Sequence, residues 1–161
     1  MNFEKTKKEM QDAIVEVSKY LGNEIDITKL EIKFEDKGHN NPKAKKGCMY
    51  IYSFWHDDFE EPLKIGKAGT KTLNRYRRNH YLPNSSKSNL ARSLINTPET
   101  SKKYNLNEEN IERWMHDNLY RINIELPFNI EQGFDSFTLE LIESILHYKY
   151  RPVFEGRNSQ R

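Results

Sequence analysis

Residues 64–81, KIGKAGTKTLNRYRRNHY, hold the densest group of side chains able to act on a phosphate. Gly66 and Gly69 follow a short apolar run, and glycines there let a backbone approach a ligand closely. The spacing fits neither a dinucleotide fingerprint nor a P-loop, whose glycine pattern and Lys-Ser/Thr ending are missing. Arg75, Arg77 and Arg78 cannot all face one way on a helix. One of them can enter a site while the others track a phosphate backbone, and a reading in which all three are merely solvated is equally open. Lys64, Lys67 and Lys71 add cations, and His80, five residues past Arg75, adds a candidate acid or base once the helix has ended.

A second candidate lies far along the chain. Residues 136–149 have the period of a long helix, with Leu139, Ile142 and Leu146 forming one stripe at about 100° per residue. Glu143 falls beside that stripe and Glu140 further round, toward solvent. A carboxylate at the border of an apolar face is costly to desolvate unless it gains a cation or donors. An ordinary salt bridge and a metal or catalytic role both satisfy that requirement. Cys48 is the only cysteine, so one chain forms no internal disulfide, and any metal must take oxygen or imidazole ligands.

Charge is unevenly placed. Of the 161 residues, 31% are charged and the formal net charge is only +2, but residues 64–103 carry ten Lys and Arg against one acid, Glu99, a formal +9. Residues 104–161 carry six basic and ten acidic side chains, a formal −4. The first segment suits a polyanion, and the carboxylates of the second suit a metal. The chain has the length of one domain with its own core, and its 12% aromatic content supplies large buriable surface. No apolar run approaches the roughly 20 residues of a membrane span, and MNFEKTKKEM lacks a signal-peptide core. A soluble, cytoplasmic protein with no membrane partner is expected.

The elements that must position these residues follow from periodicity. Residues 3–21 read as an amphipathic helix ended near Gly22, and Leu30, Ile32 and Phe34 alternate with charged residues as a half-buried strand. A loop rich in Asn, Pro and Lys covers residues 38–47. Residues 48–55 (CMYIYSFW) read as a buried strand, and 63–66 (LKIG) as its hairpin partner across an acidic turn. Helices are expected over 72–78, 88–95 and 107–118, loop over 79–88, and an alternating third strand over 119–126 (LYRINIEL). The expected fold is α+β: a small three-stranded antiparallel sheet flanked by helices. Residues 1–46 are assigned to an N-terminal helix and strand extension and residues 47–161 to the main domain.

The order of these motifs resembles the GIY-YIG nuclease superfamily. CMY, ending at Tyr50, stands where that family has GIY; Lys64-Ile65-Gly66 stands where it has YIG, with Lys64 in place of the second tyrosine; Arg75 lies on the following helix, and Glu143 nine residues before Pro152. The closer likeness is to a little-described bacterial branch with a glycine-histidine and lysine-rich loop (Gly38-His39), a VGKAG-like segment, an HY pair (His80-Tyr81), an RINI-like strand at 121–124 and a PVFEG-like ending at 152–156. It covers roughly residues 38–161. Glu155 stands where many members have asparagine.

This resemblance implies a metal-dependent endonuclease acting on DNA. It implies that Glu143 binds one Mg²⁺ or Mn²⁺, that Arg75 stabilises the scissile phosphate, that Tyr50 aided by Lys64 activates water, and that His80 contacts substrate or carries protons. Lys67, Lys71, Arg77, Arg78, Tyr81, Lys87 and Arg92 are the expected nucleic-acid contacts, and His39, Tyr52, Arg121 and Glu155 the expected supports around the site. Two other accounts fit the same residues: a nucleic-acid-binding module with impaired catalysis, and a nuclease directed at RNA. Monomer and homodimer are both open. The GIY-YIG reading requires Tyr50, Arg75 and Glu143 to meet on one basic surface.

Overall fold

A computed structural model describes residues 1–85 and 89–154. The chain forms an α+β structure in which a four-stranded antiparallel sheet is flanked by helices. The strands are β1 (Glu31–Glu35), β2 (Cys48–Trp55), β3 (Lys64–Ala68) and β4 (Tyr120–Pro127), in the spatial order β1-β4-β2-β3. The expected three-stranded sheet is thus corrected to four. The strand assigned to the N-terminal extension pairs with β4, Ile32 opposite Ile124 and Phe34 opposite Ile122. The physical reason is that β4 would otherwise leave a row of backbone donors and acceptors unpaired along one side.

The helices are α1 (Phe3–Tyr20), α2 (Leu73–Arg77), α3 (Leu90–Asn96), α4 (Pro98–Lys103), α5 (Ile111–Asn118) and α6 (Ser136–Tyr150). Asn2 caps α1 by accepting from the Lys5 amide, and Asp135 caps α6 by accepting from the amides of Phe137 and Thr138. α4 was not among the expected elements; Pro98 at its first turn, with Glu99 beside it, is a start signal hidden inside a polar stretch. The expected 107–118 helix begins only at Ile111, because the Asn107 side chain accepts from the amides of Glu109 and Asn110 in a preceding turn. Residues 79–81, expected as loop, form one 3-10 turn that buries His80 and Tyr81. Among the described residues no helix is long and apolar enough to cross a membrane.

Both faces of the sheet are covered. On one, Met49, Ile51, Trp55, Ile65, Ile122 and Ile124 pack with Met10 and Ile14 of α1 and Leu139, Ile142 and Leu146 of α6. On the other, Tyr50, Tyr52 and Phe54 pack with Tyr76, Tyr81, Leu90, Leu94, Ile111 and Met115 from the α2–α5 region. That second core encloses Arg121 of β4, which is 0% exposed. Its guanidinium donates to Asn123 Oδ1 at 2.7 Å, to the Tyr81 hydroxyl at 3.2 Å and to the Tyr76 carbonyl. It also lies 4.7–5.9 Å from the ring centroids of Tyr52, Phe54, Tyr76 and Tyr81.

Arg121→Met conserves most of the volume but strips donors from three buried acceptors and removes the cation from four ring faces. A loss of about 3–5 kcal/mol in urea denaturation is expected. A change below about 0.5 kcal/mol, the scale of an ordinary surface substitution, would contradict this role.

Candidate active site at the free edge of the sheet

β3 is an edge strand, and α2 and α6 pack against it from opposite faces of the sheet. Side chains carried by the two helices therefore meet around its open edge. The β2–β3 register places Tyr52 opposite Gly66. A Cβ at Gly66 would lie 2.8 Å from the Tyr52 ring, so the absent side chain is what lets the ring cross β3. The Tyr52 hydroxyl reaches 3.5 Å from the Lys67 carbonyl and 2.7 Å from His80 Nε2.

Arg75, exposed on α2, lies close enough to the Tyr52 hydroxyl for its charge to favour the phenolate. Its charge also reaches Lys64 and His80. Glu143, on α6, acts electrostatically on Tyr52 and Lys64. Tyr52, Lys64, Arg75, His80 and Glu143 are thus gathered at one edge.

Tyr50 is not among them. Two residues away on β2 and paired with Ala68, it turns its hydroxyl toward β4, accepting from the Lys45 amide at 2.7 Å and donating to Glu125 at 3.3 Å, while its ring stacks on Tyr76 with centroids 3.9 Å apart. The expectation that Tyr50 meets Arg75 and Glu143 is corrected: the same strand period that puts both tyrosines on one face carries Tyr52, not Tyr50, to the site. The Lys45–Glu125–Tyr50 lock left no local signal in the sequence, since its partners are 5 and 75 residues from Tyr50.

The ionisation states follow from burial and neighbouring charge. Burial raises the Tyr52 phenol well above its ordinary value, opposed by Arg75 and Arg121. His80 is pushed well below its ordinary range by burial and by Lys64, Arg121 and Arg75, so it is neutral near pH 7. Its Nδ1 has no partner among the described residues. The bond between the Tyr52 hydroxyl and His80 Nε2 therefore joins two neutral groups. Lys64, only 5% exposed, is lowered to about 8 by burial and by Arg75, with Glu143 opposing.

Glu143 and Glu140 both accept from Lys67 Nζ, the Glu140 contact at 2.6 Å. His147 Nε2 lies 3.2 Å from the Ile65 carbonyl and 3.9 Å from Glu143. Among the described residues no group of three or more His, Cys, Asp or Glu side chains is assembled for a metal ion. A hard cation held by one or two carboxylates, with water and substrate phosphate completing its shell, does not need such a group. The Glu140–Glu143 oxygen pair fits that mode.

The expected nucleic-acid contacts separate by exposure. Lys71, Arg77 and Arg78 are exposed on and beside α2, and Arg92 is half-buried on α3. Lys67 is engaged with the two glutamates. Tyr81 is corrected: it is 0% exposed and closed off by the protein, so its ring is out of reach of a ligand. Its hydroxyl contacts His39 Nε2 at 2.8 Å and accepts from Arg121, which makes His39 and Arg121 supports of this turn. Lys87 and Glu155 lie outside the described residues. Comparison with protein-family models, curated proteins and solved structures returned no match.

The buried ammonium of Lys64 sets a pH dependence. Its folded pKa is lowered from 10.5 to about 8, so the fold penalises the charged form. The penalty is complete below pH 8 and is relieved as pH rises toward 10.5, the interval in which the unfolded chain binds more protons. Lys64→Met is therefore expected to be more stable than the unsubstituted protein at pH 7, by roughly 1–3 kcal/mol. The advantage should shrink as pH rises from 8 to 10 in denaturant titrations. A constant difference across that range would contradict the buried-ammonium assignment.

Proposed function

We propose that the protein is a metal-dependent endonuclease that hydrolyses phosphodiester bonds of DNA at the free edge of β3. The observation that carries this reading is the meeting there of a tyrosine–imidazole pair, two cations and a carboxylate, beside the exposed basic side chains of Lys71, Arg77 and Arg78. Phosphodiester hydrolysis needs a deprotonated nucleophile, neutralisation of charge at phosphorus and stabilisation of the leaving oxygen. The GIY-YIG resemblance adds the same chemistry from the order of motifs.

In this mechanism Arg75 holds the scissile phosphate through its planar donor fork, which strengthens as negative charge builds on the equatorial oxygens. Tyr52, closed off from solvent and bonded to the neutral His80, acts from behind the edge by holding Arg75, and with it the phosphate, in place. Lys64 adds positive charge beside Arg75 and His80. Glu143, with Glu140 beside it, would hold Mg²⁺ or Mn²⁺, which when bound supplies charge neutralisation and lowers the pKa of water. Arg77, Arg78 and Lys71 contact flanking phosphates and set register rather than sequence choice.

The test incubates the protein with supercoiled plasmid, single-stranded DNA and RNA in Mg²⁺, Mn²⁺ or EDTA. Metal-dependent nicking of plasmid is expected. Arg75→Ala and Glu143→Ala should each lower its rate by roughly 10²–10³-fold, the scale of losing one charge-stabilising group, with plasmid binding retained. Nicking by Glu143→Ala at the unsubstituted rate would contradict the metal assignment. Degradation of RNA alone would reassign the substrate, and absence of cleavage with binding intact would leave a nucleic-acid-binding module.

A further inference from the structure

Lys67 does something that its place in a basic segment does not suggest. Its side chain leaves β3 on the side of α6, and Nζ bonds to carboxylate oxygens of both Glu140 and Glu143. These residues lie one helical turn apart on α6, so one ammonium is shared by two carboxylates that would hold a divalent cation. The side chains of Lys67 and Glu143 are 21% and 18% exposed, while Glu140 is 57% exposed, so solvent reaches the cluster most freely at Glu140. The exposed Arg75 and Glu143 both act on the Tyr52 hydroxyl by charge.

We infer that Lys67 is a built-in counter-ion of the Glu140–Glu143 pair, released when a nucleic-acid phosphate draws its ammonium away, so that substrate and divalent cation load the site together. This rests on the reading of Glu143 as the metal-binding residue and adds Glu140 as its partner. An ammonium and a divalent ion compete for the same carboxylate oxygens, because the two cations repel at that separation. Two carboxylates with no third protein donor hold a hard cation weakly by themselves, and the ammonium weakens that hold further. A phosphate arriving at Arg75 changes both conditions. It offers Lys67, a point charge on a flexible four-carbon stem, an alternative anion, and it offers the metal a further oxygen. By linkage, metal must then strengthen nucleic-acid binding as much as nucleic acid strengthens metal binding.

The experiment measures Mn²⁺ affinity of the full chain without nucleic acid, from the electron paramagnetic resonance signal of free Mn²⁺. The unsubstituted protein is compared with Lys67→Met, Lys67→Gln and Glu143→Gln, each shown to be folded by circular dichroism. Both Lys67 variants should bind Mn²⁺ about 10-fold more tightly or better, within the 10–100-fold range over which neighbours of metal ligands tune affinity. Fluorescence anisotropy of a labelled DNA duplex, with and without Ca²⁺, supplies the second readout. Ca²⁺ should tighten duplex binding by the unsubstituted protein more than by Lys67→Met. Equal or weaker Mn²⁺ binding by both Lys67 variants would overturn the counter-ion role. If Glu143→Gln still lowers Mn²⁺ affinity in that case, the metal site itself survives; if Glu143→Gln has no effect, the metal site falls as well.

Discussion

The Arg121 guanidinium is the fixed point of the structure. A buried charge is expensive to remove from water, and Arg121 has no ion pair with a carboxylate among the described residues. Its compensation comes from the Tyr76 carbonyl, the Tyr81 hydroxyl, Asn123 and the faces of four aromatic rings. Asn123 passes the polar contact on to Glu35 of β1, whose carboxyl is raised by burial. One side chain thus ties the middle of the sheet to the end of α2 and to the turn that carries His80. Arg75 is one residue from the Tyr76 carbonyl that Arg121 holds, so the exposed arginine sits on a buried anchor. Arg121 also imposes a field: it helps to keep His80 neutral and opposes the burial that raises Tyr52.

The second constraint is topological. α2 and α6 lie on opposite faces of the sheet and can bring side chains together only around an edge, and β3 is the edge against which both pack. Gly66 makes this meeting possible from within, because a methyl group there would strike the Tyr52 ring. The strand alternation of β3 then divides its lysines. Lys64 faces the tyrosine side with Gly66 and is buried against Arg75's field, while Lys67 faces α6 and meets its glutamates. Two lysines three residues apart consequently have opposite electrostatic settings, one buried beside Arg75's charge and the other bonded to a carboxylate pair.

Much of the framework was legible in the sequence. The periods of α1, α6, β2 and β4 give those elements within a residue or two, and β1 was recognisable as a strand, although its place in the sheet was not. Pairing β1 with β4 is a long-range choice that alternation alone cannot express. At the candidate site, the Gly66–Gly69 segment and Glu143's position beside an apolar stripe marked two stretches of chain that the structure brings together beside β3. The choice between Tyr50 and Tyr52 was not legible, because both have the same strand parity and only the register with Gly66 and the reach of Lys45 and Glu125 separate them. Arg121 was expected as a support around the site by resemblance, but its full burial was not legible from the rule that revealed β4. Its alternation with Ile122 and Ile124 assigns it to a solvated face, whereas the α2–α5 layer covers that face and turns its polar residues into a buried network.

The central claim is that phosphodiester cleavage is carried out at the edge of β3 and depends on Tyr52, not Tyr50. The most direct measurement compares single-turnover cleavage of a DNA duplex in Mn²⁺ by Tyr52→Phe and Tyr50→Phe, both at saturating protein. Tyr52→Phe is expected to lose roughly 10²-fold in rate, the scale of misplacing a group that must meet the phosphate, whereas Tyr50→Phe keeps a rate within about 3-fold of the unsubstituted protein and loses only the Lys45 and Glu125 contacts, worth about 1 kcal/mol each. Loss of cleavage in Tyr50→Phe with full activity in Tyr52→Phe would contradict the account.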